Sequence, residues 1–143
     1  HIDASDVKRV YDLFKGHTFY IQKTFNESFA DTREGEVCTL DTIRTAINNI
    51  IASNDTIFRE ILSNIPEKQK ELLYAIAKDG KAEQITSAEF IKRHRLTSAS
   101  SVQSATKKLL EKDIITERNK VYSLNDKLFA MWINKLYGNT TML

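Results

Sequence analysis

Between Ile114 and Leu124 the chain abandons the helical spacing that governs the stretches on either side. Ile114-Ile115-Thr116-Glu117 and Val121-Tyr122-Ser123-Leu124 are short and rich in β-branched and aromatic residues, with Arg118-Asn119-Lys120 between them. That pattern predicts two short strands around a tight turn. Three helical stretches lead up to it. Pro66 suits the first position of a helix whose buried face is Leu72, Leu73, Ile76 and Ala77, and Asp79-Gly80 ends it. Thr86 or Ser87 caps the next, which carries Phe90 and Ile91. The cluster from Thr97 to Ser101 starts a third, running to about Lys112 with Val102, Ala105, Leu109 and Leu110 inward. A last helix holds Leu128, Phe129, Trp132, Ile133 and Leu136, and Trp132 is expected to be buried against Leu109 and Tyr122 among others. Helix, helix, helix, hairpin is the order of a winged helix-turn-helix domain. The helix beginning near Ser98 takes the recognition position, and Arg118–Lys120 form the tip of a short wing.

The residues before Pro66 read as helices only. Asp3 or Ser5 caps a first helix with Val7, Val10, Tyr11 and Phe14 on one face, stopped by Gly16. A second starts near Thr18, with Phe19, Ile21, Phe25 and Phe29 as its expected buried positions. The polar stretch 31–36 is a loop. Thr39 caps a third helix, with Leu40, Ile43, Ile47, Ile50 and Ile51 inward and Asp41 favourable to its dipole. After Ser53-Asn54-Asp55, a short fourth helix carries Ile57, Phe58, Ile61 and Leu62. The fold expected is mostly α: a small helical bundle over 1–65, a winged helix domain with a short β-hairpin wing over 66–137, and a tail over 138–143.

Composition agrees with a folded chain. Of 143 residues, 41% are apolar and 28% charged, and Gly and Pro together occupy only five positions. The net charge of +2 conceals a split: residues 1–65 hold seven Lys/Arg against ten Asp/Glu, and residues 66–143 hold fourteen against nine. Opposite signs on either side of the only proline suggest two modules with different surfaces. An excess of five permits an anionic partner without requiring one. The single cysteine, Cys38, excludes an internal disulfide and a cysteine-based zinc cluster, and reads as a packed thiol in a reducing compartment. With no signal peptide and no apolar run approaching the roughly 18 residues of a membrane span, the expected location is cytoplasmic, without membrane partners. The chain begins at His1 rather than methionine, which fits a boundary inside a longer protein, a processed terminus or a tag remnant.

Little in the sequence points to catalysis. The glycines at 16, 35, 80 and 138 are isolated, so no phosphate-cradling loop forms. His1, His17 and His94 are far apart and lack the context of a metal-binding helix, so no metal site is expected. His94, beside Lys92, Arg93 and Arg95, reads as an exposed surface residue. The expectation is a non-catalytic chain. For nucleic acid, the candidates are Ser98, Ser100, Ser101, Gln103, Ser104, Lys107 and Lys108 on the recognition helix, with Arg118 and Lys120 on the wing. Hydroxyls, an amide and basic groups can contact phosphates and base edges. The same residues also read as a capped, solvated face, since this fold is widely reused for protein contacts.

Three blocks resemble a known family. Gly16-His17-Thr18-Phe19-Tyr20-Ile21-Gln22 resembles the "G-H-P-[FY]-Y-[IL]-Q" block of prokaryotic AAA+-like P-loop ATPases of the signal-transduction (STAND) type, also called archaeal-type ATPases. Ser98-Ala99-Ser100-Ser101-Val102-Gln103 resembles their winged-helix block, and Tyr122 to Trp132 their tyrosine, "D-P-x-F" and tryptophan series. The chain departs from the pattern at Thr18 and Lys127, where the family carries proline. The resemblance implies a nucleotide-binding domain upstream, residues 1–65 as its helical lid, and residues 66–137 as the winged helix. Gly16, His17 and Thr18 would then lie near ATP in the full-length parent only, with no cofactor held by this fragment. It also implies a C-terminal regulatory module hinged near Asn64-Ile65-Pro66 that controls the ATPase core through inter-domain contacts. The alternative is a winged-helix DNA-binding transcriptional regulator.

Overall fold

The computed structural model describes residues 1–138. Among them are eight helices and three strands: α1 (Ala4–Leu13), α2 (Thr18–Ala30), α3 (Leu40–Ser53), α4 (Asp55–Ser63), α5 (Glu67–Asp79), β1 (Ala82–Glu83), α6 (Ala88–Arg93), α7 (Ala99–Glu111), β2 (Ile115–Arg118), β3 (Val121–Leu124) and α8 (Lys127–Leu136). They divide into two compact units, His1–Asp55 and the described residues from Thr56 to Gly138.

In the first unit, α1 is capped by Asp3, whose side chain accepts from the Ser5 amide, and it buries Val10 and Phe14. Val7 and Tyr11, expected on the same face, are exposed. Thr39 caps α3, which buries Ile43, Ala46, Ile47, Ile50 and Ile51. Cys38 is buried, as its type led us to expect, and its amide donates to the His1 carbonyl at 2.7 Å.

Helix α2 corrects the sequence reading. Its fully buried residues are Thr24 and Ser28, while Phe19 and Phe29 are 61% and 48% exposed and Ile21 and Phe25 are half-buried. The reason is geometric. Thr24 and Ser28 are four apart, so their short side chains form one stripe that lets α2 lie close against α3. Burying hydroxyls is tolerable only with partners, and each finds one four residues back. Thr24 donates to the Tyr20 carbonyl, Ser28 to that of Thr24, and Thr32 to that of Ser28, all at 2.7 Å.

The second unit is built around α5, which packs against α7, α8 and the sheet. Leu72, Leu73 and Ile76 of α5 share the core with Phe90, Leu109, Ile115, Leu128 and Ile133. Pro66 stands at the N-cap of α5 rather than inside its first turn, and its carbonyl accepts from Gln69 and Lys70. The hairpin has the expected place. β2 and β3 pair antiparallel with Arg118 opposite Val121, and Asn119 and Lys120 both adopt positive φ, as a two-residue turn of the primed type requires. A third strand went unforeseen. β1 pairs with β3 through Ala82–Tyr122 and Glu83–Val121, so the sheet order is β1-β3-β2. Two residues display no period, so no sequence pattern announces such a strand.

Two further expectations change. The boundary read at Pro66 differs from the division after Asp55, because Phe58 of α4 packs within the second unit. Phe58 is 3% exposed, with ring centroids 5.1 Å from Phe129 and 5.7 Å from Trp132. Ile57 and Ile61 of the same helix are exposed. Trp132 is buried as expected, with Phe58 and Phe129 as ring neighbours and the Arg59 guanidinium 5.6 Å above it. His94 is not a surface residue. Its side chain is 7% exposed, its ring lies 4.6 Å from that of Phe90, and Nε2 is 3.1 Å from an Asp79 carboxylate oxygen.

Candidate interface on helix α7 and the wing

Ser98 fixes the start of α7: its hydroxyl accepts from the Ser101 amide at 3.2 Å and lies 3.2 Å from the Ser100 hydroxyl. Val102, Ala105, Thr106 and Leu109 turn inward, and Thr106 satisfies its hydroxyl on the Val102 carbonyl. The 3.6-residue period therefore sends Ser100, Gln103, Ser104, Lys107 and Lys108 to the exposed side. Ser101 is half-buried beside the cap.

Between α7, the wing and the segment after β1 runs a groove of about 830 Å³. Of the residues singled out from sequence, Gln103, Lys107 and Lys120 line it. Ser98, Ser100, Ser101, Ser104, Lys108 and Arg118 are not part of its lining. Lys108 instead sits 3.6 Å from Glu111, one turn along the same helix.

The groove also contains residues that sequence reasoning missed. Glu83 and Ile85 arrive with β1 and the turn after it, and Glu117, Asn119 and Tyr122 come from the hairpin. Gln84, at the corner, adopts φ 49°. The Glu117 carboxylate accepts from the Lys120 amide at 3.0 Å, which pins the wing tip. The recognisable signal for Glu117 and Asn119 was the hairpin itself. Glu83 had none, since only the β1–β3 pairing brings it here.

Two lysines and two glutamates thus face one groove, with Ile85, Leu110 and Tyr122 supplying apolar surface. Such a lining offers little net charge to an extended anion. It offers both signs, an amide and apolar contact to a polypeptide.

The Gly16-His17-Thr18 block lies in the first unit. Gly16 has φ +76°, and a Cβ there would stand 3.0 Å from the Tyr11 hydroxyl. His17 is the N-cap of α2 without a side-chain cap bond, and its ring stacks on Tyr20 at 4.8 Å. Thr18 opens the helix and is exposed. Among the described residues there is no group of three or more side chains suited to a metal ion, and no helix long and apolar enough to cross a membrane.

Comparison with known families adds one match: a probable winged helix domain, over residues 56–135, more than half of the chain. No curated protein matches, and no solved structure does.

Proposed function

The chain belongs to the probable winged helix domain family, and from that premise we propose that it is a non-catalytic, cytoplasmic regulatory module that works through protein contacts made by the α7–wing groove. The observation that carries this is that Lys107 and Lys120 share one groove with the carboxylates of Glu83 and Glu117. Duplex DNA carries about one negative charge per 1.7 Å of its axis, so a surface that tracks it needs a clear cationic excess. Carboxylates facing the same groove oppose that. Residues 99–111 also contain no arginine, the side chain that most often reads guanine.

The finer reading rests on the three sequence blocks. The partner is a nucleotide-binding domain upstream in the same polypeptide, of the STAND P-loop ATPase kind, and ATP belongs to that domain. Residues 1–55 act as its lid, and the unit that starts at Thr56, with α4 included, acts as the regulatory winged helix.

Fluorescence anisotropy with a random duplex at two salt concentrations separates this from DNA recognition. We expect only non-specific affinity, roughly 10⁻⁴ to 10⁻⁶ M, unchanged when Lys107 and Lys108 are both replaced by Ala. In the full-length protein the same double variant should change the ATPase rate by about fivefold or more, the scale of an ordinary coupling energy. Tight, sequence-dependent duplex binding, reduced by the double variant, would overturn the proposal in favour of a transcriptional regulator.

A further inference from the structure

The positive charge of the second unit is not concentrated on α7 and the wing. Residues 99–120 hold five Lys/Arg against three acids, whereas the segments 78–81 and 92–95 hold Lys78, Lys81, Lys92, Arg93 and Arg95 against Asp79 alone. The fold joins those two segments. Arg93 donates to Asp79 at 2.7 Å, and buried His94 meets the other oxygen of the same carboxylate. Arg93 also lies over the Phe90 ring at 5.5 Å, so its guanidinium is held in place before any partner arrives.

Beside this junction lies a cleft of about 460 Å³, formed by α5, the α6–α7 corner and the end of α8. Lys78, Arg93 and Arg95 line it together with Tyr74, Tyr137, Ala75 and Ile133. Lys78 and Arg95 make no ion pair among the described residues. The one carboxylate in the lining, Glu71, is already 3.6 Å from Lys68. The tyrosine rings pack at 4.7 Å. Burial, and then the hydrogen bond with Tyr137, push the Tyr74 phenol above its ordinary 10.0.

We propose that this cleft binds an acidic polypeptide segment, with Arg95 and Lys78 receiving carboxylates beside the Asp79-held Arg93, and the half-buried Tyr74 and exposed Tyr137 rings receiving an apolar side chain. A concave site with cations and apolar surface suits a peptide, which brings both kinds of group; a phosphate backbone leaves the apolar part unused. This is a second surface, built from other elements than the α7–wing groove, so its failure leaves the reading of that groove untouched.

The test uses the whole 143-residue chain and a short fluorescein-labelled peptide of glutamates with interspersed leucines. Its controls are the same peptide with glutamine for glutamate, and a labelled random duplex. The acidic peptide should bind at about 10–100 μM and weaken with added salt. Lys78→Gln with Arg95→Asn should weaken it at least about tenfold. Asparagine is chosen because Arg95 has φ 55° and asparagine tolerates that backbone. Replacing Lys107 and Lys108 by Ala should leave peptide binding unchanged. Amide chemical-shift mapping on the unaltered chain gives a readout independent of the variants: shifts should cluster at residues 74–79 and 92–96, not 103–107. Absence of peptide binding, equal binding by the Lys78/Arg95 variant, or shifts confined to α7 would each overturn the proposal. So would tighter binding of the duplex at the same cleft.

Discussion

Trp132 is enclosed by Phe58 and Phe129 with Arg59 over its ring, so Trp132→Ala should cost about 3–5 kcal/mol in a denaturant melt. A loss below about 1 kcal/mol would mean that α8 is not docked. Gly16 is constrained differently. Its left-handed backbone disfavours a Cβ on conformational grounds, and the Tyr11 hydroxyl stands 3.0 Å from where that atom would go. Tyr11 is exposed and can swing aside, so Gly16→Ala should cost mainly the backbone strain, about 1–2 kcal/mol. Tyr74 gives a pH prediction. Its folded value lies above the ordinary 10.0, raised first by burial and then by Tyr137. The fold therefore favours the protonated phenol, and this contribution is intact below pH 10 and lost as pH rises through the folded value. The stability difference between the protein and Tyr74→Phe should be constant below pH 10 and turn against the unaltered protein above it. Parallel urea melts check this; a difference that ignores pH would remove the coupling.

At the scale of elements, α2 and α7 make opposite cases. The outward face and start of α7 are readable because capping and helical period are local: Ser98 caps, Val102, Ala105 and Leu109 bury, and Gln103 and Lys107 face outward. Ser98→Ala should accordingly cost about 0.5–2 kcal/mol. In α2, hydrophobicity pointed to Phe19, Ile21, Phe25 and Phe29, whereas close approach to α3 selected Thr24 and Ser28. Side-chain size outweighed side-chain polarity there, because intrahelical bonds satisfy the hydroxyls. Two substitutions measure that. Ser28→Leu should destabilise by about 1–3 kcal/mol through overpacking. Phe29→Ser should cost about 1–2 kcal/mol, short of the loss for an enclosed aromatic, because nearly half of that residue already meets solvent.

Across the whole molecule, the division after Asp55 makes α4 part of the winged-helix unit. A fragment starting at Thr56 should therefore melt cooperatively, and one starting at Pro66 should lose about 3–5 kcal/mol, the cost of emptying the Phe58 site. Equal melting of the two would return the boundary to Pro66. The helices, the caps Thr39 and Ser98, the caps Asp3 and Ser87 to within a choice of two, the hairpin and the order of these elements follow from the sequence by itself. Each depends on residues within about four positions of one another, where helical period, capping and turn chemistry act. Tertiary structure alone decided the rest. It set Phe58 on Trp132, brought His94 and Arg93 to Asp79, paired Ala82 with Tyr122, and placed Glu83 in the groove with Lys107. Those partners lie far apart in the chain, and no periodicity encodes them. They meet because the helices and the sheet bury their apolar faces around α5, and packing then determines which polar groups are left side by side.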